Sequence, residues 1–198
     1  NYQLGNNLNA AQLEIYGQGA VFLVLLDCIL YLAGAEVVFT VDGLIKQTSD
    51  PIAVFSGQEL CIKRVVLGTR LYIAVKGGFY NTPVMESIST LEGTHLRPLE
   101  KDHIIFKEND NICKKSSSVG IRKLKIDKSG KIPVLPGPEF HLLDKYSILD
   151  LTSKRFGISE SSDRMGYRLL GNPLKNIQVK DILSSPVAPG TVQLTSDG

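Results

Sequence analysis

Val37-Val38-Phe39-Thr40-Val41-Asp42-Gly43-Leu44-Ile45 is a β-branched and aromatic run broken by two residues that tolerate positive φ. The pattern predicts a β-hairpin turning at Asp42-Gly43, because a two-residue primed turn needs left-handed backbone at both central positions. Outward from it, Gln12 to Val75 reads as short β-rich runs separated by Gly17-Gln18-Gly19, Gly34, Ser56-Gly57 and Gly68. Short strands at such close spacing predict an all-β sandwich or barrel. This half shows no long amphipathic helix.

The most apolar run, Ala20 to Ala35, carries a single charge, Asp27. It is too short to span a bilayer, and Asp27 reads as the turn between two buried strands, Val21–Leu26 and Cys28–Leu32. No signal peptide is visible, and the chain opens on Asn1 rather than methionine, so a missing N-terminal segment is expected.

Lys107 to Ser118 is polar, lacks a buried stripe and reads as a surface connector. Gly120–Ile126 and Lys131–Leu135 then read as strands around Lys128-Ser129-Gly130, stopped by Pro136-Gly137-Pro138. The expected organisation is an N-terminal β subdomain over residues 1–130 and the start of a second over 131–198. Glu139–Leu151, with Pro138 where a first helical turn tolerates it, predicts one or two short helices. Arg155–Ser159 and Met165–Leu170 predict a strand pair joined through Glu160-Ser161-Ser162-Asp163.

With 198 residues and 43% hydrophobic composition the chain can bury a core, which excludes disorder. The balance of 22 Lys and Arg against 20 Asp and Glu leaves a net charge of +2 without a long basic run, which argues against nucleic acid as partner. The 3 cysteines, Cys28, Cys61 and Cys113, are far apart and read as reduced thiols of a cytoplasmic protein. His95, His103 and His141 lack ligand-like spacing to them, so no metal site is expected. No Ser-His-Asp order or phosphate loop can be assembled.

The chemistry concentrates in Ser162-Asp163-Arg164-Met165-Gly166-Tyr167-Arg168-Leu169. In an extended strand Met165, Tyr167 and Leu169 share the core face, while Arg164, Gly166 and Arg168 share the other. Two guanidinium groups about 13 Å apart at their backbones then flank a residue without a side chain. Such a cradle suits a carboxylate or phosphate, which arginine grips in a planar fork while Gly166 lets the ligand approach. The competing reading pairs Arg164 and Arg168 with Asp163 and neighbouring acids to pin a strand end. Tyr167 reads as a packed core tyrosine before a catalytic acid.

This octet, followed by Gly171 and Pro173, resembles the signature of the family of 5-oxoprolinase C subunits. That family is also described as allophanate hydrolase subunit 2 and as the biotin-dependent carboxyltransferase domain, subdomains C and D, of urea carboxylase. Leu13-Glu14-Ile15, Leu32-Ala33-Gly34-Ala35, Tyr72-Ile73-Ala74-Val75 with Gly77-Gly78, Leu135-Pro136-Gly137-Pro138 and Val187-Ala188-Pro189-Gly190 through Gln193 to Asp197-Gly198 agree in the family's order. The resemblance implies a cyclophilin-like β-barrel in two subdomains. It also implies sequence beyond both ends and a glycine-rich loop between Thr90 and Leu91 that is either deleted here or omitted from this sequence.

In function, the resemblance implies a bacterial subunit, inactive alone, of a complex that converts 5-oxoproline to glutamate with ATP. The implied partners are a B-like subunit, related to allophanate hydrolase subunit 1, and an A-like subunit. One alternative is a regulatory binding protein that antagonises a histidine-kinase inhibitor. Another is the carboxyltransferase component of a urea carboxylase-type enzyme, with biotin arriving on another domain. The candidates for binding substrate or anion are Arg164, Gly166, Arg168, Tyr167, Asp163, Ser162 and Gln193. Gly77-Gly78 with Pro83–Ser89 could line a site, Gln193 could offer its amide beside a Pro189-Gly190 turn, and His95 reads as solvated.

Overall fold

The computed structural model describes residues 1–46, 50–90, 97–108, 131–163, 165–174 and 186–194. The chain divides into two compact units, Asn1–Ile126 and Asp127–Gly198.

The first unit is a six-stranded antiparallel sheet of β1 (Leu13–Tyr16), β2 (Val21–Leu23), β3 (Cys28–Val41), β4 (Leu44–Lys46), β5 (Ile52–Val54) and β6 (Glu59–Val75). Its spine is the pair β3 and β6, of 14 and 17 residues, registered from Leu30 opposite Val75 to Val41 opposite Leu60. At one end of this spine β2 pairs with β6 and β4 with β3; at the other, β1 pairs with β6 and β5 with β3. The Asp42-Gly43 hairpin forms as expected, with φ of 48° and 76° at the turn and Val41 opposite Leu44. The Asp42 carboxylate also accepts from the Glu59 backbone N–H and the Gln58 amide, each at 2.8 Å, which ties the turn to the start of β6.

The side chains that face the core change parity along both long strands. In β3 they are Leu30 and Leu32, then Ala35, Val37, Phe39 and Val41; in β6 they are Leu60 and Ile62, then Leu71, Ile73 and Val75. An unbroken pleat would turn one half of each strand outward, so an irregularity must restore the inward face. It lies in the register shifts between Gly34 and Phe39. Gly34 and Gly68 both have positive φ, 98° and 88°. Phe39 and Ile62, opposite one another near the Val41 end of the spine, are completely buried. Burying such a side chain contributes about 1.5–3 kcal/mol.

These facts correct parts of the strand-and-turn reading. Gly34 and Gly68 are bends inside long strands rather than turns between short ones. The all-β class holds, but the sheet is not closed into a barrel: its path β1-β6-β3-β4 ends on two edge strands among the described residues. Val21–Leu26 is not a buried strand, because Val21, Leu23, Leu25 and Leu26 are exposed. Asp27 does precede β3, and its carboxylate accepts the Ser56 N–H at 2.8 Å, binding this turn to the one that follows β5.

In the second unit a 3-10 turn (Phe140–Leu142) leads into helix α1 (Lys145–Ser153), which fulfils the expectation of short helices. Asp144 caps α1 by accepting the Ser147 N–H at 2.6 Å, satisfying one of the free amides of the first turn. Strands β7 (Gly157–Ile158) and β8 (Leu169–Leu170) pair antiparallel, so the expected strand pair exists but is shorter. Lys131–Leu135 forms no strand, and Ile132 and Leu135 are exposed. Gly120–Ile126 and all but the first two residues of the Lys107–Ser118 connector lie outside the described residues.

Cys28 and Cys61 are free thiols, and Cys113 and His95 lie outside the described residues. Among the described residues no cluster of His, Cys, Asp or Glu could hold a metal ion, and no helix is long and apolar enough to cross a membrane.

Candidate functional site

Ser162 to Arg168 lie in the loop that joins β7 to β8, and the loop is shaped by its own side chains. The Asp163 carboxylate accepts the backbone N–H groups of Met165, at 2.7 Å, and Gly166, at 3.1 Å. The Asp163 N–H in turn donates to the Gly166 carbonyl at 3.2 Å. An aspartate that holds amides two and three residues on reverses the chain, and this is a turn rather than a strand. Below it, the Ser162 hydroxyl accepts the Arg168 N–H at 2.9 Å, and the Arg168 carbonyl accepts the Ser159 N–H at 2.8 Å. Arg168 thus has a fixed backbone beneath an exposed side chain.

The extended, alternating arrangement expected for this octet is therefore overturned. The bonds that Asp163 makes with Met165 and Gly166 are incompatible with one unbroken strand through the octet. Met165 and Tyr167, expected in the core, are 85% and 60% exposed, and Leu169 is exposed as well. Arg164 lies outside the described residues.

What the loop offers is an exposed tip. A Cβ on Gly166 would meet nothing within 4 Å, and Gly166 does not have positive φ, so neither packing nor backbone conformation demands glycine there. Among the described residues the Arg168 guanidinium makes no ion pair. A planar fork on a fixed backbone beside an unobstructed Gly166 can take the oxygens of a carboxylate or a phosphate. Of the other residues expected to bind, Asp163 uses one carboxylate oxygen, Oδ1, for both loop amides, and the Ser162 hydroxyl accepts the Arg168 N–H.

The remaining candidates lie elsewhere. Gln193 is exposed and follows a turn in which the Thr191 N–H donates to the Ala188 carbonyl at 3.1 Å, with Gly190 at φ 92°. That is the type II turn expected around Pro189-Gly190. No hydrogen bond links Gln193 to the β7–β8 loop among the described residues. Gly77-Gly78 belongs to the first unit and is held by Asn6, a buried residue that the sequence reading missed. The Asn6 amide donates to the Val75 carbonyl at 2.7 Å, and its oxygen accepts the Gly77 N–H at 2.8 Å. Within Pro83–Ser89, Val84 and Ser87 exchange both backbone hydrogen bonds, with Met85 and Glu86 at positive φ.

Comparison with known proteins places this chain among relatives. The family model described as carboxyltransferase domain, subdomain A and B, matches residues 1–198, so its letters are A and B where the sequence reading had C and D. The chain is 34% identical over its full length to the C subunit of 5-oxoprolinase from Escherichia coli, and 27% identical over its full length to that from Haemophilus influenzae. It spans 64% of the length of each of these relatives. It is 24% identical, over 85% of its length and 10% of the relative's, to urea amidolyase of Lachancea kluyveri. Among solved structures, TTHA0988 superposes with a TM-score of 0.74 at 26% identity, over 98% of this chain and 38% of that one. The urea carboxylase of Kluyveromyces lactis superposes with a TM-score of 0.65 at 22% identity, over 89% of this chain and 18% of that one, a likeness of fold alone.

Proposed function

This chain belongs to the family of carboxyltransferase domains, subdomains A and B, and from that membership we propose that it serves as one subunit of an ATP-dependent 5-oxoprolinase. In this reading it acts with B-like and A-like partner subunits to convert 5-oxoproline to glutamate. The observation that carries the reading is the extent of the likeness to the C subunit of 5-oxoprolinase, 34% identity over the whole chain. The β7–β8 loop fits the reading chemically. 5-oxoproline carries a carboxylate, and a phosphorylated intermediate of its ring opening would also be anionic; the exposed Arg168 fork is suited to either.

The partners follow from division of labour. In this reading ATP is held by another subunit, and the site is completed where the subunits meet. The experiment is co-expression with the partner subunits. The chain alone should leave 5-oxoproline unchanged with ATP present, and the assembled complex should release glutamate. Turnover by the isolated chain would contradict the division of labour, and a silent complex would contradict the substrate.

A second reading, the carboxyltransferase component of a biotin-dependent enzyme, is favoured by the likeness to urea amidolyase. It requires biotin delivered on another domain. Transfer of a carboxyl group from carboxybiotin to urea, in place of 5-oxoproline turnover, would select it.

A further inference from the structure

We propose that Asp163 is a positioning residue, whose carboxylate sets the tip of the β7–β8 loop so that Gly166 and Arg168 can receive an anion. The proposal rests on the reading of this loop as the anion site and deepens it. A carboxylate aimed at an anionic ligand would repel it. Here one carboxylate oxygen, Oδ1, accepts the N–H groups of both Met165 and Gly166, at 2.7 and 3.1 Å, whose dipoles offset part of the charge. The Asp163 N–H closes the same turn from the other side on the Gly166 carbonyl. Ser162 acts alike one residue earlier, its hydroxyl accepting the N–H of Arg168. Two consecutive acceptor side chains therefore hold the backbone of the two exposed residues that would face the ligand.

The hairpin beneath does not depend on Asp163. It is closed by the pairs Gly157–Leu170 and Ile158–Leu169 and by the Ser159 N–H on the Arg168 carbonyl. Removing the Asp163 carboxylate should therefore loosen the tip and spare the hairpin.

The test compares Asp163→Ala with Asp163→Asn in the full chain, co-expressed with its partner subunits. Asparagine keeps an oxygen for the two amides and should rescue. Asp163→Ala should raise KM for 5-oxoproline about tenfold, within the combined net worth of the two amide hydrogen bonds that it removes, with kcat changed less than about threefold. Asp163→Asn should stay within about threefold of the parent on both, and neither variant should change the shape of the pH–rate profile. If Asp163→Asn is as damaged as Asp163→Ala, or if either loses a limb of the profile, Asp163 acts on the substrate directly and the proposal fails. A wild-type KM in Asp163→Ala also overturns it.

Backbone amide exchange at Met165 and Gly166, read by NMR, is independent of activity. It should quicken in Asp163→Ala and stay slow in Asp163→Asn; unchanged exchange in Asp163→Ala sinks the positioning role. Should the parent complex fail to turn over 5-oxoproline, the proposed function falls while the exchange data still decide the role of Asp163.

Discussion

Gly34 passes so close to Arg70 that a Cβ on the glycine would lie 2.5 Å from the Arg70 carbonyl oxygen. The two residues sit where β3 and β6 both bend, and this close passage of backbone over backbone lets the two halves of each strand bury the same face. Beside it, Gly68 leaves only 3.1 Å between its missing Cβ and the Ala35 Cα.

Gly34→Ala should therefore be strongly destabilising. Alanine at φ 98° is strained by about 1–3 kcal/mol before the clash with a carbonyl that cannot move aside as a side chain would. A denaturant titration should show the midpoint falling well below that of the parent. An unchanged midpoint would mean that the bend does not need this contact.

Asn6→Ala should cost about 2–3 kcal/mol, because it strands the Val75 carbonyl and the Gly77 N–H, both of which Asn6 now satisfies. Thermal melts of the parent and variant measure it. A loss below about 0.5 kcal/mol, the range of an ordinary surface change, would show that water replaces the amide.

How much of this was legible in the sequence depended on how local the cause was. Asp42-Gly43 could be read because two residues determine a primed turn. The length of β3 and β6 could not: Gly34 and Gly68 carry the same signal as a turn, and only the partner strand decides between a turn and a bend. The β7–β8 loop was misread as a strand on the alternation of Met165, Tyr167 and Leu169. Asp163 with Gly166 three residues on is itself a turn signature and could have corrected it. Asn6 was invisible for another reason: besides Asn1, its side chain bonds to residues 69 and 71 positions away along the chain.

Cys28 should make stability fall at alkaline pH. Half-burial pushes its thiol above the ordinary value of 9.0, while Lys107 pulls it down and Asp27 adds to the rise. Because the folded value is raised, the stabilisation is fully present below pH 9.0 and is lost as pH climbs through the folded value, where the unfolded thiol is already ionised. Denaturation midpoints measured across this range should fall more steeply for the parent than for Cys28→Ala. Parallel curves would show that the thiol is not linked to folding.

Two glycines of the β7–β8 hairpin region should separate packing from ligand approach. A Cβ at Gly171 would stand 2.5 Å from the Phe156 ring, whereas one at Gly166 meets nothing. Gly171→Ala should lower the melting temperature. Gly166→Ala should leave stability within about 0.5 kcal/mol of the parent while weakening 5-oxoproline turnover by the complex. Stability loss at Gly166 would show that the glycine serves the fold.

The most direct measurement is 5-oxoproline turnover by the complex carrying Arg168→Ala, with recovery of the partner subunits followed in the same preparation. The account predicts that the variant still copurifies with its partners and that glutamate release is lost. Full turnover by an intact Arg168→Ala complex would contradict it.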